Sequence, residues 1–183
     1  CNLHSHAFQR GMAGLSERRG ETSDSFWTWR ETMYRFLARL TPDDVEAIAA
    51  ELYAEMLEAG FTSVGEFHYL HHAPDGGAYD NRAEMAVRIA AATEATGIGL
   101  TLLPVLYETG SFSGAPSTEG QRRFVNDIDQ YLGLVEGSRA AIRDLPGAIV
   151  GVAPHSLRAV PPASLDRVVA EFLVGPVHIH VAE

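Results

Sequence analysis

Residues 61–107 decide the fold, and they read FTSVGEFHYLHHAPDGGAYDNRAEMAVRIAAATEATGIGLTLLPVLY. The segment FTSVGEFHY (61–69) is predicted to be a strand. The nearly continuous apolar run IGLTLLPVLY (98–107) is typical of a strand that is covered on both faces. Asn81–Thr96, between the two, is predicted to be a helix that ends at Gly97. Strand, helix and strand in this order predict a βα unit with a parallel sheet.

The same alternation continues on both sides of this unit. A helix is predicted to begin at Thr41, which offers a capping hydroxyl and is followed by a proline and two carboxylates, and to stop at Gly60. The segment before it, up to about residue 40, is polar with several aromatic residues. Further helices are predicted at 117–135 and 162–173, and further strands at 148–155 and 176–182. No linker divides the chain, so we expect an α/β fold with residues 1–183 in one domain.

Composition excludes several classes of protein. The chain has 183 residues with 24 acidic and 14 basic side chains, a formal net charge of −10, which argues against a nucleic-acid-binding surface. No apolar run approaches the ~18 residues that a membrane span needs, and no signal peptide pattern opens the chain. The single cysteine, Cys1, excludes an internal disulfide framework and suits a reducing cytoplasm.

Polar side chains collect where successive predicted strands end. Parallel α/β folds build their sites at that edge, because the strand-to-helix loops converge there. We therefore expect one site formed by several strand ends, with these candidates in chain order: His4 and His6, His68 and Tyr69, Tyr107, His155 and Arg158, His180 and Glu183.

His4 and His6 form an i,i+2 pair, so both imidazoles point to the same face of a strand. Two neutral imidazoles at this spacing are half of a site for zinc or a similar divalent ion, and His180 offers a third. His178 is expected to be a hydrogen-bonded interior histidine. Glu183 follows His180 closely enough to carry protons beside a metal-bound water, although it could equally be a solvated carboxylate at a helix start.

Longer motifs are similar to those of one enzyme family. The chain resembles the formimidoylglutamate deiminases of the amidohydrolase superfamily, which are metal-dependent (β/α)8 barrels, and the resemblance spans essentially all of its residues. It implies a partial TIM-like barrel, about the first five βα units. The motifs are NLHSHAFQRGMAGL (2–15), DSFWTWRE (24–31), EFHYLHH (66–72), GLTLLPVLYE (99–108), EGQRRF (119–124), HSLRAV (155–160) and VHIHVAE (177–183).

The resemblance also implies residue roles. His4, His6 and His180 would bind one divalent metal ion, zinc or alternatively iron, and Glu183 would be the proton shuttle. The glutamate portion of the substrate would be held by Gln9, Arg30, Tyr69 and Arg158, and contacted by the catalytic His155.

Elementary chemistry supports substrate binding by Arg30 and Arg158, because each guanidinium can donate two parallel hydrogen bonds to a carboxylate. Arg30 could instead stack on Trp27 or Trp29. Tyr69 could be a packing residue, and His71 and His72 are expected to be solvated.

The implied reaction is hydrolytic deimination of N-formimidoyl-L-glutamate to N-formyl-L-glutamate and ammonia. The partner would be this small dicarboxylate, with no nucleic acid or membrane, and the full-length enzyme would be a cytoplasmic homodimer. A complete barrel at this strand spacing needs roughly 290 residues. A later strand-end histidine, a later aspartate ligand and a small β-rich domain are expected outside this sequence. We therefore expect a fragment that is inactive on its own.

Two other functions remain open. Another amidohydrolase that deaminates a purine-like or triazine-like ring would share the His-x-His motif and the glutamate, but a neutral ring does not need both arginines. A non-catalytic α/β module could use the same histidines and arginines to bind a small acidic ligand without turnover.

Overall fold

A computed structural model describes residues 1–17, 25–172 and 174–181 of the chain. The strands are β1 (Asn2–Ser5), β2 (Ser63–His68), β3 (Gly99–Leu106), β4 (Ile149–Val150) and β5 (Ala153–Pro154). The α-helices are α1 (Phe26–Leu37), α2 (Pro42–Glu58), α3 (Glu84–Thr96), α4 (Ile128–Ala141) and α5 (Pro162–Glu171). Short 3-10 helices occupy Ala7–Met12, Phe112–Gly114 and Glu119–Gln121.

The strands form a parallel sheet in the order β1-β2-β3-β4, and β5 also pairs with β3. β2 and β3 pair along their length, from Ser63 opposite Gly99 to His68 opposite Pro104. Both strands run in the same direction, so the residues that follow them lie at one edge of the sheet. Parallel strands joined through helices confirm the predicted α/β class.

Local chemistry explains where the helices begin and end. α2 begins as predicted, because the Thr41 hydroxyl accepts a hydrogen bond from the Asp44 N–H and the Asp44 carboxylate accepts one from the Thr41 N–H. α3 ends at Gly97, which has the left-handed φ of 76° that glycine adopts without strain. These helices pack against a sheet interior in which Phe67, Leu102 and Leu103 are fully buried.

Three predicted elements differ from the observed ones. The helix predicted at 117–135 begins only at Ile128, because Asp127 caps it by accepting the Gln130 N–H. The strand predicted at 148–155 is split into β4 and β5, and the Val152 N–H between them donates to the Pro176 carbonyl. Of the strand predicted at 176–182, only Val177 and His180 form parallel bridges within the described residues.

α1 lies in the segment for which the sequence predicted no element. Ser25 precedes it as the capping residue, paired with Thr28 in a capping box. Met33 and Leu37 are buried, whereas Phe26 and Trp27 at its start are exposed. None of the helices in the described part of the chain is long and apolar enough to cross a membrane.

Candidate metal centre and ligand cavity

Three imidazoles converge at the carboxyl edge of the sheet. His4 Nε2 lies 3.2 Å from His6 Nε2 and 3.1 Å from His180 Nε2. One ring nitrogen from each of the three histidines lies within 4.8 Å of the other two. The structure thus brings together the three histidines that the sequence predicted as metal ligands, from the two ends of the chain.

Backbone contacts hold these rings in place. His6 follows β1, and its Nδ1–H donates to the Phe67 carbonyl on β2 at 2.9 Å. Because a carbonyl can only accept, this hydrogen bond fixes the proton on Nδ1 and leaves the Nε2 lone pair facing the cluster. The His180 N–H donates to the His155 carbonyl at 2.9 Å, which ties the last described segment to the strand-end residues after β5.

The electrostatics keep His4 and His6 neutral. Burial, together with the neighbouring histidines, lowers the pKa of His6 to about 3, although its hydrogen bond to Phe67 acts in the opposite direction. Burial, then electrostatic interaction with His178 and His155, also lowers the pKa of His4. Neutral imidazole is the form that binds a metal.

The donor set fits a divalent ion. Without an ion, His4 Nε2 can donate a proton to only one of its two neighbours at 3.1–3.2 Å, whereas a divalent ion can accept a lone pair from all three nitrogens. Tetrahedral zinc with Zn–N bonds of about 2.0–2.1 Å sets its ligand nitrogens about 3.3 Å apart, close to the distances observed. Histidine nitrogens suit zinc and also iron.

A cavity of about 630 Å³ opens beside the three histidines. The side chains that the sequence predicted for substrate binding all line it: Gln9, Arg30, Tyr69, His155 and Arg158. The remaining wall is largely aromatic and apolar, with α1 supplying one side through Phe26, Trp29, Met33 and Tyr34. A mostly apolar cavity with a few convergent polar groups is typical of a small-molecule site.

The polar groups of the cavity are held by neighbours. Gln9 Nε2 donates to the Tyr69 hydroxyl at 2.9 Å, and that hydroxyl contacts Met33 Sδ at 3.6 Å. Tyr69 is buried, which fits the packing alternative. It also lines the cavity, which fits the predicted contact with substrate. His155 is buried, with its ring 4.8 Å from that of His180 and 4.6 Å from that of Tyr107.

The two arginines differ in how they are supported. The Arg30 guanidinium lies 4.4 Å from the Trp27 ring centroid, so the stacking alternative is present together with exposure to the cavity. Arg158 Nη1 donates to the Tyr107 hydroxyl at 2.9 Å and to the Gly110 carbonyl at 3.1 Å. Both guanidinium groups thus face the same cavity as the histidines.

Three histidines differ from their predicted environments: His71, His72 and His178. His71 and His72 are buried, not solvated, because both backbone N–H groups donate to the Arg123 carbonyl and each ring bonds another carbonyl. His178 is only partly buried, with its ring stacked 6.5 Å from that of His4, so it is not an interior residue. Glu183 lies outside the described residues.

Sequence reasoning gave no role to several residues at this site. Tyr34 and Met33 were missed because α1 was not predicted. Tyr107 was noted as a strand-end residue without a role, and Gln121, buried against it, lies in a loop whose pattern carries no signal. Glu66 was also missed, although a carboxylate within an apolar strand could have been noticed as unusual.

Comparison with known proteins identifies the family. The model of the amidohydrolase family matches residues 1–183. The chain belongs to the amidohydrolase family. The family match and the parallel βα architecture together confirm the prediction of a partial (β/α)8 barrel.

Individual amidohydrolases are similar to different degrees. The chain is 55% identical to formimidoylglutamate deiminase of Pseudomonas aeruginosa over 183 residues, all of this chain and 40% of that protein. It is 60% identical to an amidohydrolase from Brucella melitensis of known crystal structure, with a TM-score of 0.96, covering 100% of this chain and 41% of that one. The chain thus spans about two fifths of the length of these relatives.

A more distant solved structure shares the fold alone. An atrazine chlorohydrolase from Arthrobacter aurescens in complex with zinc is 17% identical, with a TM-score of 0.75 over 98% of this chain and 39% of that one.

Proposed function

We propose that the full-length protein containing this chain catalyses the metal-dependent hydrolytic deimination of N-formimidoyl-L-glutamate, giving N-formyl-L-glutamate and ammonia. One observation carries the proposal: three imidazoles and two guanidinium groups meet at a single cavity of about 630 Å³. The 55% identity with formimidoylglutamate deiminase supports this choice of substrate.

His4, His6 and His180 would hold the metal, which fits the spacing of the three rings and the lowered pKa values of His4 and His6. A bound divalent ion, zinc or alternatively iron, would supply hydroxide near neutral pH by lowering the pKa of its water. The Phe67 carbonyl keeps the His6 ring oriented, and such support is important for the strength of a metal site.

Arg30 and Arg158 would hold the two carboxylates of the substrate, since each guanidinium presents parallel donors in a planar fork. Gln9 and Tyr69, hydrogen-bonded to each other, would add neutral polar contacts on the same side of the cavity. Together these residues would leave the formimidoyl group at the histidine end. His155 lies between the His180 ring and the Tyr107 ring and would contact the substrate there.

The departing nitrogen must leave as ammonia, so a proton has to be taken from the attacking water and delivered to that nitrogen. Glu183 is proposed for this transfer, because it follows the ligand His180 by three residues. The aromatic wall supplied by α1 would exclude bulk water from the reacting atoms. The homodimer and the cytoplasmic location stay predictions.

The test replaces each arginine in the full-length protein by methionine, which removes the charge and keeps much of the volume. For Arg30→Met and Arg158→Met we expect kcat/KM for formimidoylglutamate, measured by ammonia release, to fall at least about 10- to 100-fold each, the usual effect of losing a charged hydrogen bond. Arg143→Met is the matched control, since Arg143 is exposed and lies outside the cavity.

Unchanged turnover in both arginine variants would contradict the dicarboxylate assignment and would favour a ring deaminase. A full-length wild-type protein that contains no metal and releases no ammonia would favour the non-catalytic binding module instead.

A further inference from the structure

Two hydrogen-bond donors contact the hydroxyl oxygen of Tyr107. Tyr107 directly follows β3, its side chain is buried, and it lines the ligand cavity. Gln121 Nε2 lies 2.7 Å from the hydroxyl oxygen, and Arg158 Nη1 lies 2.9 Å from it. The orientation of the Gln121 amide decides what the tyrosine proton can do.

Gln121 can have only one amide orientation. Its Oε1 faces the Thr118 N–H at 2.8 Å, and a backbone N–H requires an acceptor. Its Nε2 lies 3.3 Å from the Gly110 carbonyl, which requires a donor. The amide therefore presents N–H, not oxygen, to Tyr107.

The Tyr107 oxygen consequently accepts hydrogen bonds from both neighbours. A guanidinium has no acceptor, and the fixed amide presents none, so neither Gln121 nor Arg158 can accept the tyrosine proton. Among the hydrogen bonds of the described residues, both partners of this hydroxyl are donors. Its proton is therefore available to an acceptor in the cavity that Tyr107 lines.

We propose that Tyr107 is a substrate-binding residue that donates a hydrogen bond to a carboxylate oxygen of the ligand, and that Gln121 is the positioning residue that keeps this proton directed at the ligand. The inference rests on the proposed function, because it concerns how that dicarboxylate is held. Arg158 touches the same hydroxyl oxygen, so the phenol and the guanidinium present adjacent donors that match the two oxygens of one carboxylate.

The first arm of the test is Tyr107→Phe in the metal-loaded full-length protein, assayed by ammonia release from formimidoylglutamate. Loss of a hydrogen bond to a charged group should raise KM about 10- to 100-fold, while kcat changes less than KM. Tyr131→Phe is the matched control. The Tyr131 hydroxyl is buried but bonds the Pro104 carbonyl and the Ala153 N–H away from the cavity, so this variant should keep the wild-type KM.

The second arm is Gln121→Glu, which retains the size of the side chain and its acceptor for the Thr118 N–H. The new carboxylate oxygen beside Tyr107 would accept the tyrosine proton and withdraw it from the ligand. We expect KM to rise as in Tyr107→Phe, and we expect the double variant to be no worse than the single ones. A merely structural role of Gln121 would predict additive losses and a lower Tm without this pattern in KM.

Failure of the inference and failure of the proposed function can be distinguished. If the wild-type protein is active and Tyr107→Phe has an unchanged KM, the role of Tyr107 is overturned while the proposed function stands. If the wild-type protein releases no ammonia, the same variants are compared by calorimetric binding of glutarate, a plain dicarboxylate. A 10-fold or greater loss of affinity in Tyr107→Phe would then support the inference, whereas equal affinity, or no binding by the wild type, would overturn it.

Discussion

At the scale of single residues, burial shifts the pKa values of His6, His68 and Glu66. Burial lowers the pKa of His6 to about 3 and that of His68 to about 4, so both rings are neutral at physiological pH. The same effect acts on Glu66 with the opposite sign, because burial disfavours a negative charge and raises the pKa of this carboxyl to about 7. The carboxyl of Glu66, which titrates near neutrality, accepts the N–H of the residue that follows the neutral His6.

Glu66 connects β2 to the segment that carries the metal ligands. Its Oε1 accepts the N–H of Ala7, the residue after His6, at 2.7 Å, and its Oε2 accepts the Tyr53 hydroxyl of α2 at 3.2 Å. These hydrogen bonds, with one from the Ser5 hydroxyl, partly offset the effect of burial on its pKa. Because the pKa of Glu66 stays raised despite these hydrogen bonds, its burial should affect how the free energy of unfolding depends on pH.

Between pH 4.5 and pH 7, the folded protein keeps a proton on Glu66 that the unfolded chain releases. The native state then binds more protons, so the Glu66 contribution to the free energy of unfolding falls as pH rises through this window, by about 3 kcal/mol in total. In Glu66→Gln this component of the pH dependence should be absent. Urea unfolding of the full-length protein at several pH values measures the difference.

The exposed Glu94 of α3 supplies the control for this experiment, because Glu94→Gln should have the same pH dependence of stability as the wild type. If the curves for Glu66→Gln and the wild type are parallel between pH 4.5 and pH 7, the raised pKa of Glu66 is wrong.

At the scale of the elements, the apolar pattern predicted β2, α2, α3 and β3 well, because these pack on one another in the ordinary way. α1 was not predicted, although Phe26, Trp29, Met33 and Leu37 have helical spacing, since its composition is mixed and part of its apolar face borders the cavity. The break between β4 and β5 could not be predicted. It accompanies the contact of Val152 with Pro176, which the local sequence does not encode.

The packing of α4 depends on one glycine. A Cβ at Gly137 would lie 2.7 Å from the Cβ of Ala83, too close for the two atoms without a shift of the backbone. At Gly133, one turn earlier in the same helix, a Cβ would have its nearest neighbour, Arg82 Cδ, at 4.0 Å. The two glycines thus share a helix but differ in the space around them.

We expect Gly133→Ala to raise the free energy of unfolding by about 0.5–1 kcal/mol, because alanine is the better helix former. Gly137→Ala should lower it by about 1–2 kcal/mol, because overpacking outweighs that gain. Chemical unfolding of the two variants measures both effects. Equal stabilisation by both substitutions would contradict the close contact between α4 and Ala83.

At the scale of the whole molecule, the site is assembled from residues as far apart as His4 and His180. The sequence was sufficient to predict this assembly, because parallel strands bring their carboxyl ends to one edge and the histidines occupy those ends. It was not sufficient for the network of Tyr107, Gln121 and Arg158. That network joins Tyr107 to Gln121 in the following loop and to Arg158 after β5, and the sequence of the loop has no periodic pattern.

The central claim is that His4, His6 and His180 form a metal centre, and anomalous X-ray scattering at the zinc edge from crystals of the zinc-loaded full-length protein tests it most directly. We predict one anomalous peak about 2.0–2.1 Å from the Nε2 atoms of all three histidines. Zinc-loaded crystals with no peak among these three imidazoles, or with zinc bound only elsewhere, would contradict the account.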